Sequence, residues 1–160
     1  QSKTHNDLLR LDISSLDWYA FNENYGTDQE KYLVKNIYNL YRKLESKYSD
    51  IHLFRNENHF KIYSFENGEA FAPDFVLFLK KKSKEKPTFY QMFVEPKGQH
   101  FTLKDEWKEI FLKQIEKEYK IEDIFEDKEC KIIGLPFYNE ETKKQEFNNK
   151  LKDSLSVADK

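Results

Sequence analysis

Two short motifs carry the residue types from which a hydrolytic site is built: Pro73-Asp74 within FAPDFVLFL, and Glu95-Pro96-Lys97 closing FYQMFVEPKG. Two carboxylates and one ammonium are the groups needed to hold a divalent cation against a phosphodiester and to activate water beside it. Both motifs sit on apolar, aromatic-rich runs that read as strands. Residues i and i+2 of a strand share a face, so Glu95 and Lys97 project together, along with Gln91 and Phe93. If 73–79 and 89–95 pair antiparallel through the lysine-rich stretch between them, Asp74 and Glu95 fall at one end of the sheet. Mg²⁺ takes one or two protein carboxylates there and completes its octahedron with water and substrate phosphate. Lys97 is placed to orient the attacking water or to offset charge in the transition state. Pro96 lacks a ladder donor and marks a strand end or bulge, which sets Lys97 at the rim; such a bulge would also free the carbonyl after Glu95 to ligate the metal. The competing reading is a sheet-edge aspartate and a surface Glu–Lys pair of little energetic worth. Both motifs on adjacent strands make that reading the weaker one.

The elements that position these groups follow from periodicity. Thr27-Asp28-Gln29-Glu30 is a capping-box start, and Leu33, Ile37, Leu40, Tyr41, Leu44 and Tyr48 continue a helical stripe to Tyr48. Ser49-Asp50 ends it. Short strands are expected at 51–55 and 60–65, with a turn at Glu66-Asn67-Gly68. The 73–79 strand is apolar on both parities, as when both sheet faces are covered. Lys80 to Pro87 forms a polar hairpin loop, and 89–95 returns. Thr102 caps a second helix with the face Trp107, Ile110, Phe111, Gln114, Ile115 and Tyr119. A late strand spans 131–138, a weaker helix follows from about Glu140 with Phe147 and Leu151 on one side, and residues from Ser154 onward fray. This order predicts an α/β (α+β) domain, a mixed sheet flanked by helices.

Length and composition set the bounds. The 160 residues suit a single domain, with a core at about 15–153, and 14 Phe, 10 Tyr and 2 Trp supply bulky core material. One cysteine excludes a disulfide framework and a four-thiolate zinc site, and fits a reducing compartment. His5, His52 and His59 show no ligand spacing with one another or with Cys130. No apolar run is long enough for a membrane span or a secretory core, so the expected location is the cytoplasm, with no membrane partner. A chain that opens on Gln1 and whose one methionine is Met92 is expected to be a piece of something larger. The formal net charge of −2 argues against strong autonomous DNA binding, which draws on phosphate neutralisation. It is compatible with a catalytic domain whose substrate is delivered by an attached motor or partner.

On PD at Pro73-Asp74 and ExK at Glu95-Pro96-Lys97, the chain resembles the PD-(D/E)xK nucleases. The wider stretches FAPDFVLFL, YQMFVEPKGQH, DEWKEIFL and LDWYAFNENYGTDQEKYLVKNIYNL resemble the C-terminal endonuclease domain of the restriction subunit of type III restriction–modification enzymes, over about 15–140. That resemblance implies a four- to five-stranded mixed sheet and Mg²⁺-dependent cleavage of double-stranded DNA, with Mn²⁺ able to substitute. It also implies ATP-driven helicase-like domains earlier in the same parent chain, a methyltransferase (modification) subunit as partner, and a bacterial or archaeal source. ATP would act only through domains absent from this sequence. The family also implies an acid in the first helix, for which Glu30 is the candidate. Glu at that position is what a capping box prefers, yet Glu30 lies on the buried stripe before Leu33 and Ile37, where a carboxylate is unusual unless it serves something.

Gln99 and His100 follow the second motif, and Lys104 and Lys108 open the second helix; all four are candidate DNA contacts, although loop or solvated-face roles compete. The lysine run at 80–86 falls at the far end of the hairpin from Asp74 and is read as a solvated tip. Asp74 and Glu95 are therefore the expected metal ligands, with Lys97 and Glu30 completing the catalytic set. The alternatives are a catalytically silent nucleic-acid-binding scaffold with the same fold, or a related nuclease acting on RNA or branched DNA.

Overall fold

The computed structural model describes residues 17–19, 26–64, 67–82, 87–98, 105–118 and 129–156. In chain order the elements are α1 (Asp28–Leu44), β1 (Tyr48–Arg55), β2 (Ile62–Tyr63), β3 (Ala70–Phe71), β4 (Phe75–Lys81), β5 (Thr88–Val94), α2 (Glu106–Glu118), β6 (Glu129–Gly134) and α3 (Lys144–Ser156). Four strands form a mixed sheet in the order β1-β4-β5-β6: the first two pairings are antiparallel, and β5/β6 is parallel. A parallel pair needs a crossover, and α2 lies within it. The protein is thus mixed α/β, as its pattern predicts.

Alternation along β4 and β5 divides the apolar side chains between two clusters. Phe75, Leu77, Leu79, Tyr90, Met92 and Val94 pack with α1 (Leu33, Val34, Ile37) and α3 (Phe147, Leu151, Leu155). Val76 and Phe93 pack on the opposite face with Phe111, Leu112 and Ile115 of α2 and with Phe71 and Phe137. Both sheet faces are covered, which is why β4 is apolar on both parities. Gly134 makes the α2 contact possible: a Cβ there would stand 1.7 Å from the Leu112 carbonyl oxygen.

Several expected boundaries move. The first helix stops at Leu44, and Tyr48 to Asp50 joins β1, paired at Tyr48↔Lys81 and Ser49↔Lys80. Tyr48 fits the helical spacing, but its ring meets Tyr90 edge-on at 5.8 Å and its hydroxyl donates to the Leu155 carbonyl. Tertiary pairing outweighs the local period. The strand expected at 60–65 shrinks to Ile62–Tyr63, paired with Ala70–Phe71 in a separate two-stranded sheet that sequence reasoning did not foresee. On α2, Ile110 is exposed and so is Gln114, while Leu112 is fully buried. That face is rotated because Leu112 and Ile115 press against β6 at Gly134. The late strand ends at Gly134, and α3 runs to Ser156 with Leu155 still buried. Thr102 and Tyr119 lie outside the described residues. No described helix is long and apolar enough to cross a membrane.

Candidate functional site

The β4/β5 register pairs Phe75 with Val94, so the next residues outward, Asp74 and Glu95, meet at the sheet end. The Asp74 backbone N–H donates to Glu95 Oε2 at 3.0 Å. β1 fixes the corner from its other side. Asn56, one residue beyond β1, donates its N–H to the Asp74 carbonyl at 2.7 Å and its amide nitrogen to the Pro73 carbonyl at 2.9 Å. Its Oδ1 accepts from the N–H groups of His59 and Phe60. Both carbonyls of the Pro73-Asp74 step are therefore held, and the proline's missing donor costs nothing there.

Glu95 is 3% exposed. Its Oε1 pairs with Lys97 Nζ at 2.8 Å, so both side chains share one face, as strand parity predicts. Pro96 forms a parallel bridge with Tyr138, in which Tyr138 N–H donates to the Glu95 carbonyl and Lys97 N–H donates to the Tyr138 carbonyl. A bridge of this kind uses the groups flanking Pro96, which explains how a proline is tolerated beyond β5. The Asn139 amide donates to the Lys97 carbonyl at 2.9 Å. The Lys97 ammonium lies 5.7 Å from the centre of the Phe137 ring and 3.7 Å from Asp105, which also pairs with Lys108 at 2.9 Å. Lys108 thus stands one carboxylate away from Lys97, beside the site.

Glu30 enters from α1. It closes the capping box with Thr27, and the same carboxylate pairs with Arg55 Nη2 at 2.7 Å. Gly26 (φ +144°) makes this approach possible, since a Cβ there would lie 2.3 Å from Glu30 Oε2. Glu30 is thus the capping acid of α1 and a buried carboxylate whose charge acts on Asp74.

These charges act on one another. Burial and the carboxylates of Glu95 and Glu30 push the Asp74 carboxyl up to about 7, with Lys97 and Arg55 opposing. Burial alone would lower Lys97, but the hydrogen bond and charge of Glu95, with Asp105 and Asp74, carry it above the usual lysine range. Lys97 is accordingly a cation at neutral pH, suited to offsetting negative charge rather than to taking a proton. Tyr19 feels the same field. Burial pushes it up to about 12, Arg55 opposing and Glu30 adding.

Asp74, whose carboxyl is raised by burial and by the Glu95 charge, forms with Glu95 an oxygen-only donor set whose repulsion a hard divalent cation relieves. Asp74 and Glu95 therefore fit such an ion. Among the described residues no group of three His, Cys, Asp or Glu side chains is spaced to hold a metal. Mg²⁺ does not require one, because one or two carboxylates suffice when water and substrate complete the shell.

Of the residues singled out in the sequence, Asp74, Glu95 and Lys97 converge, Glu30 joins their field with Arg55, and Lys108 stands at the rim. Gln99, His100 and Lys104 lie outside the described residues. Arg55, Asn56 and Asp105 were missed. The first two become legible only once β1 is placed beside β4, which brings its last residues level with Asp74. Asp105 carried no signal, since an acid opening a helix is ordinary.

No solved structure matches the chain. A Haemophilus influenzae (strain KW20 / Rd) protein bearing the name "Uncharacterized protein" is 41% identical over 135 residues, covering 79% of this chain and 29% of that protein. The chain thus spans less than a third of the length of that relative. The family model described as HI_1054_C: C-terminal domain matches residues 3–159, and the chain belongs to that family.

Proposed function

We propose that the domain hydrolyses phosphodiester bonds of double-stranded DNA with the help of a divalent cation, as the cleavage module of a larger ATP-dependent restriction enzyme of the type III kind. The observation that carries this reading is the meeting of Asp74, Glu95 and Lys97 at one sheet end, with the Asp74 carboxyl raised to about 7 by burial and by its acidic neighbours. A PD-(D/E)xK core is the finer form of the mixed sheet, and the same three residues are its support. Asp74 and Glu95 would hold Mg²⁺ or Mn²⁺. The ion, when bound, makes water acidic enough to attack near neutral pH and offsets charge on the phosphate. Lys97, fixed by Glu95 and Asp105, presents its ammonium to the developing negative charge. Glu30 and Arg55, paired with each other, add their opposed charges to the field at Asp74.

The test uses the full-length parent protein. Asp74→Ala and Lys97→Ala should each lower DNA cleavage by about a hundredfold or more while leaving the fold and ATP hydrolysis unchanged. Cleavage at the wild-type rate by either variant would refute the assignment. Calorimetry with Mn²⁺ separates a silent scaffold from an enzyme: a silent domain gives no binding heat that depends on Asp74.

A further inference from the structure

The sheet face that ends in the carboxylates continues into a cluster of exposed rings. Phe54 pairs with Val76 and His52 with Phe78 across the β1/β4 ladder. Alternation places Phe54, His52 and Phe78 on the face shared by Asp74 and Val76. Phe54 meets Phe78 edge-on at 5.6 Å, and His52 meets Phe54 at 5.8 Å. Two large apolar rings nevertheless remain open to solvent: Phe54 is 41% exposed and Phe78 36%. The apolar packing of α2 on this face reaches Val76 and Phe93, and neither exposed ring belongs to it.

Three features of the patch select its occupant. It is aromatic rather than aliphatic, offering the flat π faces on which bases stack without regard to sequence. It is continuous with the candidate site: Phe54 lies about 7 Å and Phe78 about 13 Å along the strands from the level of Asp74. Cations stand at both ends of the stripe, Lys97 and Lys108 beside the carboxylates and Lys80 two residues beyond Phe78, its ammonium 5.7 Å from the centre of the Phe89 ring. A chain of net charge −2 offers little net neutralisation to a polyanion. Stacking requires no net charge.

We propose that the His52–Phe54–Phe78 face is a stacking platform for unpaired bases of the nucleic-acid strand that runs from the scissile phosphate. This rests on the hydrolase reading above and narrows its substrate to a strand locally unpaired beside the cut. A strand held on the sheet in this way would keep the phosphate in register with Asp74 and Lys97.

The experiment uses the full-length protein in EDTA with an oligothymidylate carrying 5-iodouracil, photocrosslinked and mapped by mass spectrometry, with affinity read by fluorescence anisotropy. Crosslinks at His52, Phe54 or Phe78 are expected, and Phe54→Leu/Phe78→Leu should weaken binding of the oligonucleotide by about tenfold or more. The leucines keep the patch apolar, so docking of a protein domain would survive them and base stacking would not. Phe54→Ala/Phe78→Ala, with an unchanged melting temperature, should give the same loss. Crosslinks confined to other regions together with unchanged affinity overturn the platform. So does a double alanine variant that alters oligomeric state but not oligonucleotide affinity, which would assign the face to a protein contact. Asp74→Ala separates the two claims: wild-type cleavage by that variant sinks the hydrolase, whereas lost cleavage with unaffected ring variants sinks the platform alone.

Discussion

Replacing Asp74 by asparagine should stabilise the metal-free protein at alkaline pH while ending the proposed cleavage. The carboxyl titrates at about 7 instead of the ordinary 3.8 because it is half-buried among Glu95 and Glu30. Each tenfold change in proton affinity is worth about 1.4 kcal/mol, so the displacement corresponds to about 4 kcal/mol at most. Solvent reaching the partly open side chain reduces this to roughly 2 kcal/mol. The folded-state value lies above the unfolded one, so the folded protein holds the extra proton between them. That stability is fully present below about pH 4 and is lost as pH rises through about 7. Asparagine has the shape of the protonated acid and loses nothing over this range. In urea titrations with EDTA, followed by tryptophan fluorescence, Asp74→Asn should exceed the wild type by about 2 kcal/mol at pH 8.5 and by less than about 1 kcal/mol at pH 5. Millimolar Mn²⁺ at pH 8.5 should then stabilise the wild type and leave the variant unchanged. A variant that is less stable than the wild type at pH 8.5, or a gap that does not change with pH, refutes the claim that carboxylate repulsion is stored at this corner.

Gly134→Ala should cost about 3 kcal/mol in urea unfolding, because the new methyl would stand 1.7 Å from the Leu112 carbonyl oxygen and 2.7 Å from Ile115 Cγ2, forcing α2 off β6. Arg55→Ala should lower stability by about 2 kcal/mol by leaving the largely buried Glu30 carboxylate without its 2.7 Å partner, and Arg55→Lys should recover part of that loss; equal melting temperatures for all three proteins would count against the pair.

The parts of the site that were legible in the sequence are those governed by short-range geometry. Strand parity alone placed Lys97 with Glu95, and a 2.8 Å ion pair bears it out. The hairpin between the motifs fixed Asp74 and Glu95 at one end, because an antiparallel register leaves little freedom. The capping box at Thr27 and Glu30 was legible for the same reason: its partners are three residues apart. The failures lie where a distant partner decides. Tyr48 fits a helix by spacing and leaves it to meet Tyr90 and Leu155. The burial phase of α2 turns on Gly134, a residue with no side chain to announce a contact. Asn56 reads as loop polarity until β1 is known to lie beside β4, after which its grip on Pro73 and Asp74 follows.

The charges around Asp74 show why such a corner would hold a cation at all. Each neighbouring acid has its own basic partner, Lys97 for Glu95 and Arg55 for Glu30. Were those pairs fully compensating, the field at Asp74 would cancel and burial alone would raise its carboxyl. Burial and the two carboxylates prevail instead, and the group stands at about 7. The folded chain therefore maintains a local deficit of positive charge that protonation relieves below neutrality and a divalent ion would relieve above it. On the proposed reading this gives metal affinity a pH dependence opposite to that of metal-free stability. Proton and ion compete for one carboxyl, so affinity rises through the interval in which the apoprotein weakens. The brace formed by Lys97 and Arg55 limits the cost of that arrangement without abolishing it, since full neutralisation would steady the fold and leave the ion little to gain.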